Sequence, residues 1–178
     1  VKLGSVASGQ AGTVRLAVKD VKIPNNDALV IFNIDTFQSD FKLPEFCDDL
    51  GIDGYLEVFI ADGEHWSFVE PGANNKVVRV TEKERISDYC SSALYFFRRA
   101  GDFCKAFDKT LSLDLRALQG GERYVAPLYN DLIIERMDIR FEVVALDSLT
   151  FCGTPVEFNE VASGPPPTTI KFFSAALD

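Results

Sequence analysis

The sequence predicts an α/β fold, a mixed and mostly parallel sheet flanked by helices, with one β-hairpin inserted. Three observations predict it. The first is the run Ala28-Leu-Val-Ile-Phe-Asn-Ile-Asp35, whose first five residues are all apolar. An unbroken apolar run between turn signals fits a strand buried on both faces, as in a parallel sheet. The second is the way strand-like runs at 55–60, 92–97 and 139–146 are interleaved with helical stretches. The third is the pair Trp66-Ser-Phe-Val69 and Lys76-Val-Val-Arg-Val80, parted by Pro71-Gly-Ala-Asn-Asn75. That segment is a turn signal, and it makes the pair a hairpin.

The elements follow in order. Residues 13–19 read as a short helix with Val14, Ala17 and Val18 on one face and Thr13 as its cap. After the 28–35 strand, residues 45–50 read as a helix closed by Gly51. Strand 55–60, the hairpin and strand 92–97 come next. A helix over 102–111 carries Phe103, Ala106 and Phe107 inward. Gly120-Gly121 marks a loop before a helix over 126–136, where Pro127 fits only the first turn. A late strand spans 139–146, and Pro155 opens a last helix to about residue 162. Gly164-Pro-Pro-Pro167 ends the pattern, so the expected division is a domain over 1–163 and a Pro-rich linker and tail over 164–178.

Composition narrows the function classes. The 178 residues are 47% apolar and include fifteen Phe, which suits a packed core and excludes a disordered chain. A net charge of -9 repels phosphate backbones, so nucleic acid is not expected as the main partner. The four cysteines, Cys47, Cys90, Cys104 and Cys152, show no metal spacing and read as free thiols. With no signal segment or spanning run, the expectation is a soluble, cytoplasmic protein with no membrane partner.

In open α/β sheets ligands sit beyond the carboxyl ends of strands, where Asp35 lies. Asn33 and Asp35, two apart, leave the same face of a strand. A metal held by Asp35 over a phosphate-bearing ligand is the functional reading; a cap for the next element is the plain one. Glu82-Lys83 reads either as a solvated turn or as an acceptor for hydroxyls beside a point charge for phosphate. Gly9-Gln-Ala-Gly-Thr13 lets backbone approach a flat ligand ahead of a helix N-terminus. His65 has no Ser or Cys partner at a suggestive spacing and reads as structural.

Taken in order, Gly9-Gln-Ala-Gly-Thr13, Phe32-Asn-Ile-Asp35, Trp66-Ser-Phe-Val69, Val80-Thr-Glu-Lys83, Ser92-Ala-Leu-Tyr95, Glu122-Arg-Tyr-Val-Ala-Pro-Leu-Tyr-Asn130 and Gly153-Thr-Pro155 resemble the sugar-phosphate nucleotidyltransferases. These include the glucose-1-phosphate thymidylyl- and uridylyltransferases and their capsule-biosynthesis relatives. The resemblance implies a Rossmann-like nucleotidyltransferase fold. It implies transfer of a nucleotidyl group from a nucleoside triphosphate to a sugar 1-phosphate, with release of pyrophosphate, in polysaccharide biosynthesis. It also implies that Gly9 and Gln10 face the base and that Asp35 binds Mg²⁺. Glu82 would take the sugar hydroxyls and Lys83 the sugar phosphate, with Ser92 and Asn130 lining the sugar pocket.

Three departures from the family pattern stand out. The Gly-rich, Arg-containing triphosphate loop is not found before Gly9, which leaves a fragment, an unseen N-terminal part or a loss of the loop as alternatives. The family's second metal-binding Asp is Phe151 here, and Asp147 is the candidate substitute. Two family glycines are Ser67 and Ala93. Two rival readings remain: a nucleotide-sugar-dependent glycosyltransferase, with Asn33-Ile-Asp35 as half of its metal motif, and a non-catalytic nucleotide-sugar-binding module. Ile170-Lys-Phe-Phe173 is a candidate contact for a homo-oligomer or for a missing N-terminal piece.

Overall fold

A computed structural model describes residues 8–39, 41–48 and 51–164. In chain order the elements are α1 (Gly9–Val21), β1 (Leu29–Phe32), β2 (Thr36–Gln38), β3 (Gly54–Ile60), β4 (Ser67–Pro71), β5 (Val77–Glu82), β6 (Tyr89–Phe97), α2 (Ala100–Thr110), α3 (Tyr129–Ile134), β7 (Ile139–Val143), β8 (Leu149–Phe151) and α4 (Pro155–Ser163). The main sheet runs β5-β4-β6-β3-β7, with β1 paired to β6; β2 and β8 form a second, two-stranded sheet.

The fold is α/β with a mixed sheet and a hairpin, as expected, but the balance of strand directions is corrected. Among the described residues β3 and β7 pair parallel, whereas β1–β6, β3–β6, β4–β5, β4–β6 and β2–β8 are antiparallel. Direct connections reverse the chain and helical crossovers preserve its direction. No α-helix separates β3, β4, β5 and β6, whereas α2 and α3 lie between β6 and β7.

The 28–35 strand is shorter than its apolar run suggested, and it is not buried on both faces. In β1, Leu29 and Ile31 are buried while Val30 and Phe32 are 45% and 40% exposed. Its alternation was hidden because both faces carry apolar side chains. Asn33 and Asp35 lie beyond the strand, in the turn leading to β2.

Other limits also move. Thr13 is inside α1, not its cap, and its hydroxyl donates to Gly9 O at 3.3 Å. Val18 is buried and Val14 packs on the core, but α1 begins four residues earlier because its first turn is tied to the chain at 123–125: Ala11 N–H donates to Arg123 O at 2.8 Å. Only Glu45–Cys47 of the expected 45–50 helix is helical, as a single 3-10 turn; residues 49 and 50 lie outside the described residues. The 126–136 helix is a 3-10 turn at Ala126–Leu128, with Pro127 at its start, running into α3. The tail beyond residue 164 lies outside the described residues.

The main core forms where α2 and α3 cover one face of the sheet. Phe97 of β6 stacks on Tyr129 of α3 (centroids 4.4 Å apart) and meets Phe103 of α2 edge-on. Each such fully buried side chain contributes roughly 1.5–3 kcal/mol over exposure. The buried Tyr129 hydroxyl sits 2.8 Å from Phe96 O and 3.0 Å from Tyr55 O, so its polar end is matched. All four cysteines are free, and burial pushes the Cys47 thiol up to about 11. No helix among the described residues is long and apolar enough to cross a membrane.

Candidate active-site cleft

β6 is longer than any single partner along one of its flanks. There β1 ends at Phe32, opposite Leu94, and β4 approaches with Phe68 opposite Cys90. Ser91, Ser92 and Ala93 are left between the two strand ends and form the floor of a cleft of about 470 Å³. An opening between diverging strands is where α/β sheets hold ligands. Asn33, Asp35 and Thr36 enter from the end of β1; His65, Trp66 and Ser67 come from the start of β4; Glu82 and Lys83 come from the end of β5. Phe151, Gly153, Thr154 and Glu157 close the wall opposite.

Of the residues expected to form a site, Gln10, Asp35, Glu82, Lys83 and Ser92 all line this cleft. Gln10 is oriented at both ends of its amide. Its Nε2 donates to Asn33 Oδ1 at 2.7 Å, and its Oε1 accepts from Val125 N–H at 3.0 Å. The turn of Asp35 is pinned because its carbonyl accepts from Cys152 N–H at 2.8 Å. Its carboxylate faces Gly153, where a Cβ would lie 3.1 Å from Asp35 Oδ2 and 3.9 Å from Glu157 Oε2. A side chain at 153 would therefore crowd the space between two carboxylates. Thr154 and Glu157 form a reciprocal capping box at the start of α4, which fixes that wall.

Glu82 is only 4% exposed. Its carboxylate accepts a short hydrogen bond from the Ser67 hydroxyl, opposite it in the β4–β5 register. Burial pushes the Glu82 carboxyl above its ordinary range, and the Ser67 bond and the Lys83 charge oppose that rise. Lys83 has φ +55° and places Nζ 2.8 Å from the Tyr124 hydroxyl and 4.9 Å from the ring centre. The hydrogen bond to Tyr124 raises the Lys83 pKa, which keeps the ammonium charged. Acceptor and cation thus stand side by side, one buried and one exposed.

Three expected residues are not brought to the cleft. Gly9 does not line it; with φ +77° it packs on the Arg123 backbone, where a Cβ would lie 2.9 Å from Arg123 N and O. Its requirement for glycine is explained by that close approach. Asn130 spends its amide on β5: Oδ1 accepts from Val80 N–H at 2.9 Å and Nδ2 donates to Val80 O at 2.8 Å. Asp147 is exposed in the 3-10 turn before β8 and is not among the lining residues, so it is not placed as a partner of Asp35. Among the described residues no three His, Cys, Asp or Glu side chains gather into a metal cage.

The sequence also underrated an aromatic wall. Trp66 packs against His65, Phe59 and Phe151, at 4.2, 5.1 and 5.0 Å between ring centres. His65, read as structural, lines the cleft. Glu157 and Tyr124 were missed as lining residues; the Thr-Pro-x-Glu capping pattern was the available signal for Glu157.

No protein-family model matches the chain, and no curated protein does. Solved structures do. The nucleoside-diphosphate-sugar pyrophosphorylase from Vibrio cholerae is 37% identical, with a TM-score of 0.80 over 89% of this chain and 66% of its own. A Bacillus anthracis protein provisionally assigned as a glucose-1-phosphate thymidylyltransferase, crystallised with sucrose, shares the fold at 22% identity. Its TM-score is 0.66 over 89% of this chain and 61% of its own. This chain therefore spans somewhat under two thirds of each. The shared fold, with 37% identity to the Vibrio cholerae protein, supports a sugar-phosphate nucleotidyltransferase-like family for this chain.

Proposed function

We propose that this chain serves a Mg²⁺-dependent sugar-1-phosphate nucleotidyltransferase, which moves a nucleotidyl group from a nucleoside triphosphate to a sugar 1-phosphate and releases pyrophosphate. The observation that carries the reading is convergence: Gln10, Asp35 and the Glu82-Lys83 pair, from three separate segments, meet in one cleft. Attack of a sugar-phosphate oxygen on the α-phosphorus needs no covalent nucleophile from the protein, only alignment and charge neutralisation. In this reading Lys83 neutralises the sugar phosphate, held in place by Tyr124. Glu82 accepts from sugar hydroxyls with the carboxylate oxygen that Ser67 leaves free. Gln10 holds the start of α1 against the base.

Asp35 is the residue to hold Mg²⁺, with Glu157 the next carboxylate along the same wall. A sparse carboxylate set suits this ion, which keeps much of its shell as water and phosphate oxygen. When bound, the ion supplies charge neutralisation across the phosphates. The nucleotide sugar formed would feed polysaccharide assembly.

A second reading, ligand binding without turnover, is favoured by Phe151, which puts an aromatic ring where the resemblance implies a second metal carboxylate. Two measurements separate them. Thermal melting with Mg²⁺ against nucleoside triphosphates and nucleotide sugars detects ligands that bind the folded state, because such ligands raise the midpoint by mass action. Pyrophosphate release is then followed in the wild type and in Asp35→Asn. Shifts with one triphosphate and its matching nucleotide sugar, with release abolished in Asp35→Asn and folding retained, are the expected results. A shift with the nucleotide sugar alone would leave the binding module standing, and unchanged release in the variant would remove Asp35 from the reaction.

A further inference from the structure

We infer that Glu57, which does not line the cleft, is a positioning residue that holds the cleft's two halves in register. It lies in the middle of β3 and is 1% exposed. One carboxylate oxygen accepts from Ser92 Oγ at 2.7 Å, and the other accepts from Gln38 Nε2 at 2.8 Å. These two partners belong to different sheets.

Ser92 stands on the cleft floor, where the β3–β6 register slips. Leu56 pairs with Tyr95 and Val58 with Ser91, so Glu57 alone opposes Ser92, Ala93 and Leu94. Bulges of this kind re-aim side chains and need to be pinned. Gln38 stands on β2, three residues after Asp35, and β2 pairs with β8, which leads directly to Gly153. The Glu57 carboxyl therefore joins the floor that carries Ser92 to the small sheet that carries Asp35 and Gly153. A buried carboxyl is a costly way to fill space, and an apolar side chain would pack there at less cost. What it adds is direction, two hydrogen bonds on opposite sides. Gln38 Oε1 is buried without a hydrogen-bond partner, so the Gln38 amide is oriented by Glu57. It also means that Glu57→Gln can keep both bonds, by turning the Gln38 amide and donating to its oxygen.

The consequence for ligand binding rests on the function proposed above; the tie itself does not. The test compares wild type, Glu57→Leu, Glu57→Gln and Gln38→Leu by hydrogen exchange and by calorimetric titration with glucose 1-phosphate and Mg²⁺. Expected for Glu57→Leu is exchange at least tenfold faster at 36–38 and 91–94, unchanged protection in α2 and α3, and affinity at least tenfold weaker. Glu57→Gln should restore both. Gln38→Leu, the milder cut, should loosen 36–38 alone. Faster exchange throughout, or no change at the two segments, would overturn the assignment and make Glu57 an ordinary core residue. If Glu57→Leu fails to fold, loosening in Gln38→Leu with rescue in Glu57→Gln supports the tie, and its absence refutes it. Wild-type protein that ignores glucose 1-phosphate but shows the expected exchange pattern would keep the tie and remove the sugar-phosphate reading.

Discussion

Ala93→Gly should make the protein more stable, although it removes a methyl group from a strand. Ala93 sits at φ +67° in the β6 irregularity, with its N–H donating to Ser91 Oγ at 3.1 Å. A left-handed backbone costs an L-residue roughly 1–2 kcal/mol through the clash of Cβ with the carbonyl. Glycine removes that clash but returns roughly 0.5–1 kcal/mol through the greater freedom of the unfolded chain. The net gain is about 0–1.5 kcal/mol, or a midpoint up to about 6 °C higher for a chain of this size. Urea unfolding followed by far-UV circular dichroism measures it directly. Ala93→Val is the opposing control: its branched Cβ deepens the strain and should cost about 1–2 kcal/mol. A lower midpoint in Ala93→Gly than in wild type would show that the bulge stores no such strain and would refute the reasoning.

The remaining predictions concern buried polar groups. Asn130→Ala leaves two backbone groups of the edge strand β5 without partners; it should cost about 2–6 kcal/mol in urea, at about 1–3 kcal/mol per orphaned group, and leave ligand affinity per folded molecule unchanged. Ser67→Ala removes a hydrogen bond to a buried carboxylate, worth about 1.5–3 kcal/mol, and should raise the Glu82 pKa further, as read by carboxyl NMR titration. Burial raises the pKa of Glu57 and of Glu82 above the ordinary 4.5. The folded state then binds protons more tightly than the unfolded state, so this contribution to stability is full below about pH 4.5 and declines as pH rises through the folded values. Glu57→Gln should accordingly gain on wild type between pH 4 and pH 7, and a constant difference across that range would contradict the assignment.

How far the sequence disclosed this protein depends on the length of each signal. β3, the β4–β5 hairpin, β6 and α2 were legible because each has a run of five or more patterned residues or a strong turn beside it. β2 and β8 were not. Each is three residues long, and Thr36 pairs with Phe151, a contact that no local pattern announces. The direction of the sheet was misjudged from β1, because an edge strand with apolar side chains on both faces looks like a central one. Asp35 and Glu82-Lys83, each ambiguous alone, were singled out by the order of the motifs along the chain, and the fold brings them to one cleft. Gly9 and Asn130 misled for the same reason as each other. A residue that must be glycine to touch a backbone, or an amide that clamps a strand, carries the same letter as one that touches a ligand. Ser67 and Tyr124 matter through partners 15 and 41 residues away, and only the fold supplies those.

Trp66, on the aromatic wall, is the single tryptophan of the chain. The molecule thus has one indole chromophore, placed at its cleft rather than in its core. Its emission is a label-free signal of occupancy, undiluted by other indoles. Any base, sugar or phosphate that settles against His65 or Phe151 alters the surroundings of the only group observed. Equilibrium titration and stopped-flow mixing can therefore be run on unmodified protein, whichever candidate ligand is added.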